Sequence, residues 1–164
     1  MDSRIGLDYI VENRDYISKL GTALDTNNVV VKKQVFELLS ALCAYNADGY
    51  ARAIETLEFY KNLKNERYRF KIVINELEKA TSVDYQVALL AFINCVIISA
   101  TNLQDRIRIR NELIGATKYP KIVIANVEYN LAATDSHERQ AIAYFNQGLI
   151  QLMFQQQVEI HGID

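Results

Sequence analysis

One proline and six glycines in 164 residues constrain this chain more tightly than any motif does. Strand-rich domains need frequent turn residues and α/β domains need glycine at their loops, so a chain this poor in both is expected to build long helices joined by short polar connections. The apolar spacing agrees. Leu7, Ile10 and Val11, then Ile17, Leu20 and Leu24, recur at steps of three and four and predict an opening pair of helices. Asp25 to Asn28 reads as a turn, with Asn27 or Asn28 placed to cap the helix VVVKKQVFELLSALCAY, apolar at Val31, Val35, Leu38, Leu39 and Leu42. Ala47 to Leu63 predicts another helix, with Tyr50, Ile54, Leu57 and Tyr60 on one stripe. A further one is expected from near Asn65, carrying Phe70, Val73, Ile74 and Leu77, with Thr81 or Ser82 as the cap of its successor.

That successor, VDYQVALLAFINCVIIS, is apolar nearly all round and is expected at the centre of the structure. Its apolar run, Val87 to Ala100, is 14 residues long and contains Asn94, short of the roughly 20 residues that span a bilayer. In LQDRIRIRNELIGA, Arg106, Arg108 and Arg110 alternate with Ile107 and Ile109 as in a half-buried strand. Helix is the better reading, because an isolated strand has no partner, Leu103, Ile107 and Ile114 form a stripe, and Asn102 with Asp105 resembles a capping pair. Beyond Gly115, Pro120 suits the first turn of a helix through Val127, and Asp135 with Glu138 resembles the capping box of a last, Gln-rich helix from about Ser136 to Glu159.

Sliding the sequence by 50 positions sets VFELLSALCAY (35–45) against YQVALLAFINC (85–95), matching Leu39 with Leu89 and Ala41 with Ala91. Two very apolar helices separated by two amphipathic ones are the pattern of a stacked helical repeat of roughly 40 to 47 residues, whose concave face suits an extended or helical partner. Chemistry is hard to place on such a chain. It carries no Gly-rich phosphate loop, HExxH, CxxC or GxSxG, His137 and His161 are isolated, and Cys43 and Cys95 sit in apolar runs as small hydrophobes. No enzyme activity, metal or cofactor is therefore expected, and unpaired cysteines point to a reducing compartment. A formal net charge of −2 and ten tyrosines without a basic groove argue against nucleic acid as a partner. The cluster Arg106, Arg108 and Arg110 can bind phosphate or an acidic peptide, or be neutralised by Asp105 and Glu112.

Four strings carry a resemblance. ALDTNNVVVKKQVFELLSALCAY, YRFKIVINELEKA, LLAFINCVI and DRIRIRNELIG occur in this order between Leu24 and Gly115. Together they resemble the diaphanous inhibitory, or FH3, domain of formins, with the VKKQVFELL wording nearest to the inverted-formin branch. The resemblance implies an all-α, armadillo-type repeat stack over residues 1–133, followed by a C-terminal helix over 134–164 that serves as an interdomain or self-association element. It also implies a role: docking of the C-terminal autoregulatory segment of a formin, an amphipathic helix followed by basic residues, holds the actin-assembling FH2 domain in check until a Rho-family GTPase bound on the N-terminal side releases it. The groove positions it implies are Leu38, Ala41, Ala44 and Tyr45, then Ala91 and Asn94, with Gln140 from the last region. Asn94 interrupts an apolar run, so its amide is expected either to satisfy a backbone group or to face a ligand. The GTPase-binding part is expected to lie outside this chain, and the sequence holds no FH1 or FH2 region, so actin is reached only indirectly. The implied location is cytoplasmic and cytoskeleton-associated. The alternatives are a self-associating scaffold, homodimeric through the last helix, and a GTPase-binding regulatory fragment.

Overall fold

The computed structural model describes residues 3–117. Seven α-helices and no strand occur among them: α1 (Ser3–Glu12), α2 (Asp15–Ala23), α3 (Val29–Tyr45), α4 (Ala47–Leu63), α5 (Lys71–Lys79), α6 (Val83–Ser99) and α7 (Leu103–Ala116). The expected helices beyond Gly115 and the division at 133/134 lie outside the described residues.

Side-chain caps fix several of the helix starts. Asn28 Oδ1 accepts hydrogen bonds from the amides of Val30 and Val31 at 3.0 and 3.3 Å, so α3 begins with two of its unpaired donors satisfied. Asn102 does the same for Asp105 at 2.8 Å, and its own amide donates to the Asp105 carboxylate. Ser82 stands at the start of α6 without a side-chain cap bond. Asn46 is the single extended residue between α3 and α4, and its Oδ1 accepts from Gly49 N–H at 2.7 Å. A Cβ at position 49 would strike the Leu42 carbonyl oxygen, so this joint requires glycine.

Two expectations change. The helix placed near Asn65 starts six residues later, at Lys71, because Asn65 adopts a left-handed φ of 53° that stops α4, and the following residues form turns. On α7, the buried residues are Ile109, Leu113 and Ala116, whereas Leu103 and Ile107 of the expected stripe are 66% and 41% exposed. Alternating apolar residues at 107 and 109 leave the phase of such a helix open, and packing against the rest of the core settles it.

The chain stacks as an armadillo-like array, with α1–α3 and α4–α6 as successive three-helix units and α7 following. Helices α3 and α6 form the most extensive packing among the described helices. Phe36 lies against Phe92, ring centroids 5.5 Å apart and planes tilted by 47°, and Ser99 Oγ donates to the Cys43 carbonyl at 2.8 Å. Both pairs are 56 residues apart, so the two helices run parallel. Each is 17 residues long, and their starts, Val29 and Val83, are 54 positions apart. The offset of 50 seen in the sequence is therefore close to one helical turn short, which preserves the buried face because about 3.6 residues return a helix to the same side.

Behind α3 and α6 the core holds Leu39, Leu42, Leu57, Phe70, Ile74, Leu89, Val96 and Leu113, all buried. Polar ties fasten the layers. Lys32 Nζ is 2.7 Å from Glu76 Oε1, each side chain little exposed, and the Tyr85 hydroxyl donates to the other Glu76 oxygen at 2.9 Å, joining α3, α5 and α6. Burial first, and then the Glu76 charge, pushes the Tyr85 phenol far above its ordinary value. Arg69 makes a two-pronged bond to Glu112, Nε to Oε2 at 3.0 Å and Nη2 to Oε1 at 2.5 Å, fastening the turn before α5 to α7.

Candidate protein-interaction channel

The outer surfaces of α3 and α6 bound two depressions that follow one another along both helices. The first, about 380 Å³, is lined by Lys33, Glu37 and Ser40 of α3 and by Asp84, Val87, Ala88 and Ala91 of α6. The second, about 440 Å³, is lined by Cys43 and Ala44, by Cys95, Ile98, Ser99 and Thr101, and by Asn46, Ala47 and Tyr50 at the head of α4. Lining positions advance from 33 to 44 on one helix and from 84 to 99 on the other, which follows from their parallel course. The result is a channel with charged residues at one end and none among the lining residues of the other.

Its walls are low because its side chains are small. Ser40, Ala44, Ala47, Ala88 and Ala91 bring little volume to the surface, so a partner's backbone can approach both helices closely. Val87 and Ile98 are 44% and 40% exposed. These are apolar side chains on a helix otherwise buried on most sides, and a docked partner would remove them from water. The thiols belong to the floor. Burial, followed by the neighbouring Cys95, pushes Cys43 up from 9.0 to about 12, and burial raises Cys95 despite a hydrogen bond with Ser40 that lowers it. Both are unpaired thiols that stay protonated at neutral pH, which keeps the channel floor apolar and weakly nucleophilic.

The residues expected to form a groove divide into four groups. Ala44 and Ala91 line the channel, and Ala41 is exposed on α3 next to it. Leu38 and Tyr45 occupy the flank of α3 away from α6. Leu38 is half-buried against the core, and the Tyr45 hydroxyl is hydrogen-bonded to Asp8 of α1. Asn94 is 6% exposed, so most of it is turned into the molecule. Gln140 lies outside the described residues. Sequence reading passed over Glu37, Ser40, Val87, Ala88 and Ile98, since small and mixed residues give no periodic signal and only the pairing of α3 with α6 shows that they share a surface.

The arginine cluster is dispersed by the helix. Arg106 Nε donates to the Ala100 carbonyl at 3.0 Å, Arg108 is 70% exposed in its side chain and 4.0 Å from Asp105, and Glu112 is engaged by Arg69. Arg106 and Arg110, four residues apart, share one side of the helix and Arg108 points to the opposite side, so the three make no single patch. No helix among the described residues is long and apolar enough to cross a membrane.

Residues 51–117 match the family model described as Diaphanous FH3 Domain. The chain is 50% identical over 115 residues to inverted formin-2 of Xenopus laevis, which is 70% of this chain and 10% of that protein. Identity to Formin-F of Dictyostelium discoideum is 25% over 115 residues, covering 68% of this chain and 9% of that one. For human disheveled-associated activator of morphogenesis 1 it is 26% over 122 residues, covering 70% and 11%. The chain therefore spans about a tenth of the length of these relatives.

Proposed function

This chain belongs to the diaphanous FH3 domain family of the formins, on its inverted-formin side, and on that premise we propose that it is a regulatory protein-interaction module whose α3–α6 channel seats an amphipathic helix. The observation that carries this reading is the channel itself, in which two parallel, heavily apolar helices leave a trough of small side chains flanked by the exposed Val87 and Ile98. A helix laid in such a groove anchors through apolar residues at steps of three and four. The occupant we propose is the C-terminal autoregulatory segment of a formin. Seating it would restrain actin assembly by the FH2 region to which that segment is joined. No catalytic step is assigned to this chain, and its proposed location follows that of the cytoskeletal protein it would regulate.

A fluorescence-anisotropy titration with labelled C-terminal peptides of inverted formin-2 tests the reading. Saturable binding, competed by unlabelled peptide, is the expected result. Failure of every formin C-terminal peptide to bind the folded chain would remove the proposal. Nucleotide-dependent capture of a Rho-family GTPase, or self-association in sedimentation with no peptide binding, would redirect the role to a GTPase-binding fragment or to a scaffold.

A further inference from the structure

Between α7 and the turn preceding α5 lies another depression, about 420 Å³, lined by Tyr68, Gln104, Ile107, Arg108, Asn111 and Glu112. It shares no residue with the α3–α6 channel, and its chemistry differs. Gln104, Arg108 and Asn111 are spaced by four and three, which aligns them on one face of α7. The Arg108 side chain is 70% exposed, and its nearest acid, Asp105 at 4.0 Å, is also bonded by the Asn102 amide at the helix start. Arg67, an exposed cation outside the lining, stands beside one lining residue, its guanidinium 5.2 Å from the centroid of the Tyr68 ring. Glu112, the one carboxylate among the lining residues, is already held at two points by Arg69. Ile107 adds exposed apolar surface.

Two outward cations, two carboxamides and an apolar contact describe a particular kind of ligand. An arginine fork suits a carboxylate, and a carboxamide can both donate to and accept from a peptide backbone. We propose that this depression is a second docking site, for an extended acidic segment of a partner protein. Carboxylates of that segment meet Arg108 and Arg67, its backbone pairs with Gln104 and Asn111, and one apolar side chain rests on Ile107 and Tyr68. Nucleic acid fits less well, because two arginines and one partly buried tyrosine provide neither the basic track nor the stacking platform that a strand requires.

The test uses the full chain, isotopically labelled, with a dodecapeptide of alternating Glu and Leu followed by amide chemical shifts. Expected are saturating shifts at Tyr68, Gln104, Arg108 and Asn111 that weaken as salt is raised. Arg67→Glu combined with Arg108→Glu, both at exposed positions, is expected to reduce affinity about tenfold or more, and Gln104→Ala with Asn111→Ala to reduce it by roughly threefold to tenfold. The proposal is overturned if no shift saturates, if charge reversal leaves affinity unchanged, or if the Lys-Leu counterpart or an oligouridine of the same length binds as tightly as the Glu-Leu peptide.

Discussion

Ala44 stands on the wall of the channel with its methyl group exposed, so a larger polar side chain there changes the surface without entering the core. Ala44→Asp is expected to leave the thermal midpoint nearly unchanged while weakening peptide binding about tenfold or more, because docking would strip water from an unpaired carboxylate. Anisotropy beside a thermal melt separates the two effects, and an equal loss of stability would place Ala44 in the core. Cys43 makes a different prediction. Its folded value of about 12 lies above its ordinary 9.0, so the stabilisation from keeping the thiol buried and neutral is complete below pH 9 and is lost as pH rises toward 12. Burial raises Cys95 and Tyr85 too, so they add to the same alkaline loss. Urea melts between pH 8 and 11 should show falling stability, with a shallower slope for Cys43→Ala than for the unaltered chain. An identical slope in both would contradict the assignment.

At the scale of elements, the Arg69–Glu112 clasp connects two of the strings by which the sequence resembles its family, YRF and RNEL. Each side chain is 18% exposed, so the pair is partly shielded from solvent and from salt. A double-mutant cycle with Arg69→Met and Glu112→Gln is expected to give a coupling of about 1–3 kcal/mol in denaturant unfolding, and a value near zero would reduce the clasp to an ordinary surface pair. This clasp also marks a segment that the sequence left open. Helix α3, the bounds of α4 and the caps at Asn28 and Asn102 were legible because local rules govern them: apolar period, a polar residue at the first amides, few competing turns. The late start of α5 was not, since it follows from the left-handed φ at Asn65 and the turns after it, a segment that the Arg69 fork then ties to Glu112 across 43 positions of sequence. The buried face of α7 was misread because Ile107 and Ile109 are equally apolar and only the packing distinguishes them.

For the whole molecule, the stacking of α3 on α6 turns two segments more than 50 residues apart into one surface. Repetition of an apolar helix was visible in the sequence, and so was a concave partner-binding face as the usual consequence of such stacking. Which side chains would line that face was only half visible. Ala44 and Ala91 could be carried over from the family pattern, while Glu37, Ser40, Val87 and Ile98 emerge from the parallel course of the helices. Chemical-shift mapping of the labelled chain with an inverted formin-2 C-terminal peptide reads the occupancy of the channel residue by residue. Saturating perturbations are expected at residues 37, 40, 41 and 44 of α3 and at 87, 91 and 98 of α6. Perturbations confined to α1 or α7, with the α3–α6 channel unmoved, would contradict the proposed seating.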